Sequence, residues 1–357
     1  MVLFNILDYS PIFEGWNARE ALLHTRDLAQ LADSLGYHRY WVAEHHHVFS
    51  VAGSTPELLM MQLAASTNRI RIGSGGIMLR HYSPYKVAEN FRMLEAFYPN
   101  RIDLGIGRSP GYPMVNRALN EAKDIRVSYD QQVKDLYKYL TDNTDEEHRF
   151  KKLIATPVID TIPQIWLLGR GTEGVSIAAA NGSAYAFAHF APPSKLNGQE
   201  IVMNYRSEFK PSSLLENPRV MVAVFVIIAE TREEAADIAT AFDLWLLSIE
   251  STNQPPYYPS IRTAKDRKLT IVDEEKITQN RTRVIIGDPK LVKTEIERVV
   301  DLYQADEITI IPQFYDANNR MKGIKLLAEA FGLSAENIRN RKRSIVPRFR
   351  NHRPYFL

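Results

Sequence analysis

The sequence predicts an α/β fold, a (β/α)8 TIM barrel with an insertion after the seventh strand and a basic C-terminal tail. Two observations lead to this prediction. Eight short apolar segments alternate with amphipathic helical segments, a pattern that parallel strands joined by right-handed helical crossovers satisfy. The chain has 357 residues, whereas such a barrel takes about 250, so roughly a hundred remain for insertions and the tail.

The strand segments are short and apolar, as strands buried on both faces of a parallel sheet require. Several are rich in Val, Ile and aromatic residues, which favour the extended conformation. In chain order they cover residues 4–7, 37–43, 70–73, 101–106, 164–168, 184–188, 220–229 and 307–311.

The segments between the strands repeat apolar residues with the helical period. Gly36 follows the first of them, and Pro56, Pro84 and Pro289 stand at the starts of three others. Glycine is typical just after a helix and proline in its first turn. In chain order the helical segments cover residues 18–35, 56–66, 84–97, 129–140, 173–180, 193–209, 232–247, 289–303 and 321–331.

Residues 1–338 are predicted to form one barrel domain, followed by a basic tail over residues 339–357. The longest stretch read as irregular, residues 251–283, contains three prolines and comes after the seventh strand. A loop of this length inside a compact domain is commonly an active-site lid or a disordered segment. We interpret it as a candidate lid insertion.

The composition is that of an ordinary folded enzyme, with 45% hydrophobic and 24% charged residues. No apolar run approaches the ~20 residues that span a bilayer, and the N-terminus lacks the order of a signal peptide, so we expect a cytoplasmic protein without membrane contact. The chain has no cysteine. Disulfides, iron–sulfur clusters and a cysteine nucleophile are therefore excluded.

The charge is unevenly distributed, although the net charge is only +2. Residues 339–357 hold seven of the 44 basic residues and none of the 42 acidic ones, so the rest of the chain is net acidic. A net-acidic body does not attract a polyanion. We therefore interpret the tail as solvated or packed against another subunit, and we expect no nucleic-acid partner.

Glu44, His45, His46 and His47 follow directly on a predicted strand, at the end where barrels place their active sites. An imidazole there can act as a general base, a metal ligand or a hydrogen-bond donor, or it can simply satisfy backbone groups. If the strand continues through the segment, His45 and His47 face one side and Glu44 and His46 the other. No metal is expected. The histidines lack the i, i+4 spacing of a zinc-binding His-Glu-x-x-His helix, and the chain has no cysteine to supply a thiolate ligand.

Several segments at the predicted strand ends occur in an order that resembles the bacterial luciferase family of flavin-dependent monooxygenases. The resemblance covers about residues 3–333. The segments that carry it are Trp-Val-Ala-Glu-His-His at 41–46, Arg-Ile-Arg-Ile-Gly-Ser-Gly-Gly-Ile at 69–77, Ser-Pro-Tyr-Lys-Val-Ala-Glu at 83–89, Arg-Ile-Asp-Leu-Gly-Ile-Gly-Arg at 101–108, Leu-Gly-Arg-Gly-Thr at 168–172 and residues 287–331.

This resemblance implies a TIM barrel that binds FMN at the carboxyl ends of its strands. It also implies that reduced FMN acts as a cosubstrate with O2, that a separate flavin reductase supplies it, and that the substrate is a small organic molecule. In such chemistry the protein orients the cofactor, excludes water and controls protons. We further expect a homodimer.

The resemblance also implies roles for individual residues. His45 matches the catalytic histidine, with Glu44 and His46 as its supporting groups. Gly75 and Gly76 fall where the family has a non-proline cis peptide under the flavin ring, although a flexible strand end would use the same residues. Arg108 matches an arginine that binds the FMN phosphate, and a guanidinium is suited to that contact.

A second anion-binding segment is expected at Gly169, Arg170, Gly171 and Thr172, because a loop leading into a helix directs backbone N–H groups at a ligand. Many relatives have serines where this chain has Arg170 and Gly171. The change either adds a second cation for the phosphate, which we prefer, or directs Arg170 at a surface carboxylate. Light-emitting members of the family tend to have a larger residue at the position of Gly107. The glycine therefore argues against light emission and suggests a different or wider range of substrates.

Three classes of function agree with these patterns. The first is a two-component FMN monooxygenase. The second is a flavin- or deazaflavin-dependent dehydrogenase on the same barrel, which would transfer hydride without consuming O2. The third is a non-catalytic flavin-binding protein, which the histidine cluster argues against.

Overall fold

Eight parallel strands close into a barrel in the computed structural model, which describes residues 2–109, 111–121, 127–145, 147–192, 197–249 and 254–334. The basic tail at 339–357 lies outside the described residues. The barrel strands, in the order in which neighbours pair, are β1 (Leu3–Asp8), β2 (Arg39–Val42), β3 (Arg71–Ser74), β5 (Ile102–Gly107), β6 (Gln164–Gly169), β7 (Ala184–Ala188), β8 (Val220–Ile228) and β10 (Glu307–Ile311).

Strand β10 closes the ring, because it pairs in parallel with both β1 and β8. Its Glu307 lies opposite Leu3 on one side and Met221 on the other. The predicted TIM barrel is thereby confirmed. Two short strands, β4 (Ile77–Met78) and β9 (Val284–Gly287), pair with β5 and with the second half of β8.

Helices connect the strands and cover the outside of the barrel, as right-handed crossovers require. They are α1 (Ala18–Leu35), α2 (Pro56–Ser66), α3 (Pro84–Phe97), α4 (Pro113–Leu119), α5 (Tyr129–Leu140), α6 (Thr172–Ala180), α7 (Gly198–Glu208), α8 (Arg232–Ile249), α9 (Ile261–Asp266), α10 (Ile271–Arg281), α11 (Pro289–Tyr303) and α12 (Ala317–Ala330), with a 3-10 turn at Leu79–His81. No helix in the described ranges is long and apolar enough to cross a membrane.

The helix ends follow the local signals. Asn17 and Glu20 form a capping box at the start of α1, and Gly36 ends this helix in the left-handed conformation with φ 91°. Asp288 caps α11 ahead of Pro289. These contacts satisfy backbone groups that the helix itself leaves unpaired.

The prediction of an irregular stretch over residues 251–283 is wrong for about half of its length. Helices α9 and α10 occupy about half of it, β9 begins directly after it, and residues 251–253 lie outside the described ranges. Ser260 and Thr270 cap the two helices with their side chains. The segment also pairs with the body of the protein, where Tyr258 is fully buried and its N–H donates to the Ile12 carbonyl at 2.6 Å.

The amino-terminal end of the barrel is filled by buried ion pairs. Arg39 lies 2.7 Å from carboxylate oxygens of both Asp103 and Glu307, and Arg71 lies 2.7 Å from Asp103. Burial alone would raise the pKa of Glu307, but the guanidiniums of Arg39 and Arg219 hold it well below its usual range. This layer seals the lower end of the barrel, so the interior can open only at the carboxyl ends of the strands.

Candidate functional site

A cavity of about 870 Å³ opens at the carboxyl ends of the barrel strands. This volume lies within the range of small-molecule and cofactor sites. The cavity brings together the ten residues predicted to be catalytic or to bind the cofactor, namely Glu44, His45, His46, Gly75, Gly76, Arg108, Gly169, Arg170, Gly171 and Thr172. Residues predicted from four separate segments of the chain thus line one cavity.

The segment after β2 delivers two of the three histidines to the cavity. His45 and His46 line it, whereas His47 is exposed and its ring contacts Phe49 at 4.9 Å. The expected alternation of faces is wrong, because β2 ends at Val42. Beyond it the chain is held by other contacts, among them the His45 N–H, which donates to the Gly53 carbonyl at 2.8 Å.

Glu44 joins the histidine segment to the chain that follows β3. Its carboxylate accepts hydrogen bonds from the Met78 N–H at 2.8 Å and from the Tyr82 hydroxyl at 2.6 Å. The Nε2 atom of His46 lies 2.7 Å from the same carboxylate. A buried carboxylate with three partners holds its surroundings in one arrangement. Glu44 therefore supports the cavity wall and orients His46.

His45 is held as a neutral imidazole. Burial, with a smaller contribution from the neighbouring His46, lowers its pKa from 6.5 to about 4. Its Nδ1 is buried without a hydrogen-bond partner, and its ring packs edge-on against Tyr9 with 4.7 Å between the centroids. At neutral pH this side chain can accept a proton or donate one from a neutral ring.

Glycines form the cavity wall on the side of β3 and β5. The Gly75–Gly76 peptide is cis, as the family resemblance implies. A Cβ at Gly76 would lie 2.8 Å from the Gly105 carbonyl oxygen, and one at Gly75 would lie 2.6 Å from a methyl of Leu7. At Gly107 the nearest atom would be 3.7 Å away, so this position has room for a side chain. No side chain projects from the wall at Gly75 and Gly76, because neighbouring atoms of Leu7 and of the β5 backbone leave no room for one.

Cationic side chains and a helix N-terminus lie at the end of the cavity near β5 and β6. Arg108 and Arg170 line this end together with the first residues of α6. The N-terminal cap of that helix, Gly171, has no side chain to satisfy the free backbone N–H groups. Helix N-termini of this kind bind anions. Arg108 pairs with Glu173, and both side chains are about half-exposed.

The opposite side of the cavity is aromatic and apolar, and the sequence alone did not predict that Phe190 and Trp245 lie there. Phe190 and Trp245 line it, together with Tyr9 from the end of β1. The alternation of β1 agrees with this position of Tyr9, since Asn5, Leu7 and Tyr9 share one face. No such pattern in the sequence indicates the position of Trp245 on α8, because that position depends on how the helix packs.

Asp8 and Ser10, the neighbours of Tyr9 at the end of β1, do not line the cavity. Asp8 lies 2.6 Å from Arg320 and accepts a hydrogen bond from Thr25 at 2.9 Å. These residues therefore attach β1 to the surrounding helices. In the part of the chain that the structure describes, no group of three or more acidic or histidine side chains is placed to hold a metal ion.

A comparison with protein families agrees with this arrangement. The family profile described as luciferase-like monooxygenase matches residues 6–305. The chain belongs to the luciferase-like monooxygenase family. Its members are named as oxidoreductases, and the resemblance of the strand-end motifs is thereby confirmed.

Among the relatives of this luciferase-like chain, the uncharacterized protein YwcH of Bacillus subtilis (strain 168) is 44% identical over 93% of this chain and 99% of that protein. The N-acetyl-S-alkylcysteine monooxygenase of the same organism is 35% identical over 92% of this chain and 98% of that protein. The oxygenase component of a flavin-dependent trigonelline monooxygenase from Acinetobacter baylyi (strain ATCC 33305 / BD413 / ADP1) is 24% identical over 61% of this chain and 62% of that protein.

Solved structures show the same barrel. Apo-MsnO8 superposes with a TM-score of 0.82 at 34% identity, covering 93% of this chain and 98% of that one. The FMN complex of the oxygenating constituent of 3,6-diketocamphane monooxygenase from Pseudomonas putida (TM-score 0.66, 17% identity, covering 94% and 98%) shares the fold. So does an F420-dependent secondary alcohol dehydrogenase (TM-score 0.66, 16% identity, covering 92% and 98%).

Proposed function

We propose that this protein is the oxygenase of a two-component FMN monooxygenase, which uses reduced FMN and O2 to oxidise a small organic substrate. One observation carries the proposal. A single cavity joins a cationic end at Arg108 and α6, a flat glycine wall at Gly75 and Gly76, and a buried neutral imidazole at His45. These features correspond to a phosphate, a planar ring and a site of proton transfer.

The residues present fit FMN. Arg108 and Arg170, with the uncapped N-terminus of α6, would hold the phosphate by charge-assisted hydrogen bonds. Gly75 and Gly76 would lie under the ring, where a Cβ at Gly75 would meet Leu7 and one at Gly76 would meet the backbone of β5. The pairing of Arg108 with Glu173 means that a phosphate would compete with a carboxylate for this guanidinium.

Reduced FMN, when bound, supplies the electrons that activate O2. The protein would orient the cofactor and the substrate, exclude water from the site and control proton transfer. His45 would hold or deliver a proton at the ring nitrogen that faces the cavity. Glu44 would act through His46 and the Met78 N–H, keeping the histidine segment against the wall that follows β3. The apolar walls would limit the access of water to the reacting atoms.

The relatives support the partners in this proposal. The trigonelline enzyme is named as the oxygenase component of its system, which favours a separate flavin reductase as the source of reduced FMN here. The N-acetyl-S-alkylcysteine monooxygenase favours a small organic substrate. The absence of cysteine from the sequence agrees with a cytoplasmic location, which we propose as well.

A deazaflavin-dependent dehydrogenase is the second candidate. The F420-dependent alcohol dehydrogenase has the same barrel, and Arg108 and Arg170 could hold the phosphate of either cofactor. A non-catalytic flavin-binding protein is a third possibility. It would leave the buried, unpartnered Nδ1 of His45 unexplained.

Flavin titration followed by O2 consumption separates these functions. We expect the purified protein to bind reduced FMN more tightly than oxidised FMN, and to bind FAD and NAD more weakly, because the cationic end offers no second site for an adenine. O2 uptake above that of free reduced FMN, dependent on an added substrate, would support a monooxygenase. Tighter binding of F420 together with hydride transfer without O2 uptake would contradict the proposal, and so would flavin binding without any turnover.

A further inference from the structure

Tyr9 lies across the barrel mouth from the cationic end of the cavity. In the eight-strand ring, β1 is diametrically opposite β6, the strand that leads into Gly169 and Arg170. Inward positions of β1 repeat every second residue. Asn5 donates a hydrogen bond to Glu307 in the ion-pair layer at the amino-terminal end of the barrel. Leu7 and Tyr9, which follow it on the same face, line the cavity. The alternation therefore places Tyr9 at the far end from a phosphate bound near α6.

The hydroxyl of Tyr9 has no hydrogen-bond partner among the described residues, although the side chain is only 7% exposed. Its ring contacts are with His45 and Phe225, at 4.7 Å and 6.3 Å between centroids. Burial raises the pKa of this hydroxyl well above its usual value, against a small opposing effect of Arg283. Tyr9 is therefore a protonated donor, and as part of the cavity lining it can donate a hydrogen bond to a ligand there.

The surroundings of Tyr9 are apolar. We call the part of the cavity lined by Tyr9, Phe187, Phe190, Trp245 and Ile249 the aromatic end. The Trp245 N–H donates to the Ser50 hydroxyl at 3.0 Å, so this indole presents carbon to the cavity. Among the described residues that β7, β8, α8, β10 and β1 contribute to the cavity, none is Asp, Glu, Lys or Arg. Arg283, which acts on Tyr9, is not part of the lining and donates hydrogen bonds to the Phe190 carbonyl and the Asn280 side chain. A charged group entering this end would therefore lose its hydration without a charged partner in the lining.

We propose that the aromatic end is the substrate site, and that Tyr9 is a specificity-determining residue whose hydroxyl donates a hydrogen bond to an uncharged, largely apolar substrate with one acceptor atom. The inference deepens the proposed function and rests on it for the assignment of the Arg108 end to the flavin. It distinguishes Tyr9, which binds the substrate, from His45 beside it, which manages protons.

Three small aromatic probes and flavin-free protein test this inference, in a buffer with enough inorganic phosphate to occupy Arg108, Arg170 and the N-terminus of α6 in the same cavity. Acetophenone carries a carbonyl acceptor, α-methylstyrene replaces that oxygen by a methylene of similar shape, and 4-acetylbenzoate adds a carboxylate. Their dissociation constants are measured by equilibrium dialysis with wild type and Tyr9→Phe. We expect Tyr9→Phe to weaken acetophenone binding by about 2- to 12-fold, which is the range of one net hydrogen bond, and to leave α-methylstyrene unchanged. The carboxylate probe should bind wild type more weakly than acetophenone.

The matched control is Tyr112→Phe, which removes a hydroxyl from the exposed rim of the same cavity. It should leave the binding of all three probes unchanged, and thermal melting should show that both variants are folded. An equal effect of Tyr9→Phe on acetophenone and α-methylstyrene would overturn the role of the hydroxyl. Undetectable binding of acetophenone, or equally tight binding of the carboxylate probe, would overturn the substrate class. Because the protein is free of flavin, these results do not depend on its proposed reaction.

Discussion

The three consecutive histidines acquire different chemistry from their surroundings. His45 is buried and its pKa is lowered to about 4, so it is neutral near pH 7. His46 lies against the buried carboxylate of Glu44. His47 is exposed and outside the cavity lining. Identical side chains at adjacent positions thus become a neutral imidazole in the cavity lining, an imidazole beside a carboxylate and a surface residue.

We predict that His45→Ala slows the oxidation of the bound reduced flavin in the presence of substrate by about 10²- to 10⁴-fold, the range for general acid–base groups. Flavin affinity should change by no more than a few-fold. The pKa of His45 is lowered to about 4, so its imidazole stays neutral from alkaline pH down to about that value. The pH profile of the wild-type rate should therefore show no ionisation of His45 between about pH 6 and 8. Stopped-flow absorbance after mixing with O2 measures these rates.

His47→Ala is the matched control, from the same triplet but outside the cavity, and it should behave like wild type. If His45→Ala and His47→Ala are kinetically alike, the assignment of His45 is wrong. A clear ionisation near pH 6.5 that disappears only in His45→Ala would instead show that His45 is not held neutral.

Arg108 is predicted to bind the phosphate of FMN. Loss of one charged partner should weaken FMN binding by about 10- to 150-fold. The lower part of this range is expected, since the side chain is 48% exposed and is screened by solvent. The flavin-free protein should melt at nearly the same temperature in Arg108→Ala, because its partner Glu173 is also exposed. Fluorescence titration with FMN measures the affinity.

Two comparisons make the Arg108 test specific. Riboflavin lacks the phosphate, so its affinity should not respond to Arg108→Ala, and Arg117→Ala on the exposed face of α4 should not alter FMN binding. Glu173→Gln should tighten FMN binding, because it removes the carboxylate that competes for Arg108. Unchanged FMN affinity in Arg108→Ala would refute the assignment, and failure to fold would show a structural role.

At the scale of elements, the segment after α8 is better ordered than its composition indicates. Prolines suggested a loop, yet Ser260 and Thr270 begin two helices and Thr270 forms a capping box with Asp273. None of the described residues 254–283 lines the cavity. Gln254 reaches its rim, where its side chain donates to the Tyr112 hydroxyl. Buried Tyr258 anchors the segment, so any opening should occur beyond it.

We keep the lid as a proposal for residues 251–283. Trypsin should cut the flavin-free protein at Arg262, Lys265 or Lys268, since exposed segments with few buried contacts open easily. Reduced FMN, added without O2, should slow this cleavage. Limited digestion followed by mass spectrometry gives the rates, with cleavage at Lys152 as the internal reference. Resistance in the flavin-free protein, or equal rates with and without reduced FMN, would show an insertion that does not move with the cofactor.

At the scale of the whole molecule, ring closure creates the two-ended cavity. Strands β5 and β6 bring the cationic end, and the ends of β1 and β7 together with α8 bring the aromatic end. The ion pairs around Arg39 close the other end of the barrel. A ligand can therefore enter only between the loops that follow the strands.

The outer face of α2 and α3 is predicted to form a homodimer. Leu58, Met93 and Phe97 are 73%, 47% and 63% exposed, and the two helices are joined by a hydrogen bond from Asn90 to Glu57 at 3.4 Å. Exposed apolar patches mark interfaces. Leu58→Asp combined with Phe97→Asp should convert a dimer to a monomer in sedimentation velocity experiments.

Ile271→Asp is the control for this experiment, since Ile271 is 76% exposed on α10, away from that face. It should leave the dimer intact. A monomeric wild type, or a dimer that survives the double substitution, would contradict the predicted interface.

The sequence by itself determined the barrel, because the alternation of apolar strands and amphipathic helices is local and admits few parallel topologies. It also determined the candidate site, because motifs such as Glu44-His45-His46 and Gly107-Arg108 stand at strand ends, and parallel strands end at one face of a barrel. Only the tertiary structure decided which histidines enter the cavity, since that depends on where β2 ends.

Tertiary structure alone also decided the environment of each group. The lowered pKa of His45 follows from burial, and the pairing of Arg108 with Glu173 joins residues that are distant in sequence. The aromatic end brings Tyr9 on one side together with Phe190 and Trp245 from far along the chain. Local patterns cannot specify such contacts. The burial of a side chain and the electrostatic field around it depend on all of its spatial neighbours, and chain order does not reveal which residues these are.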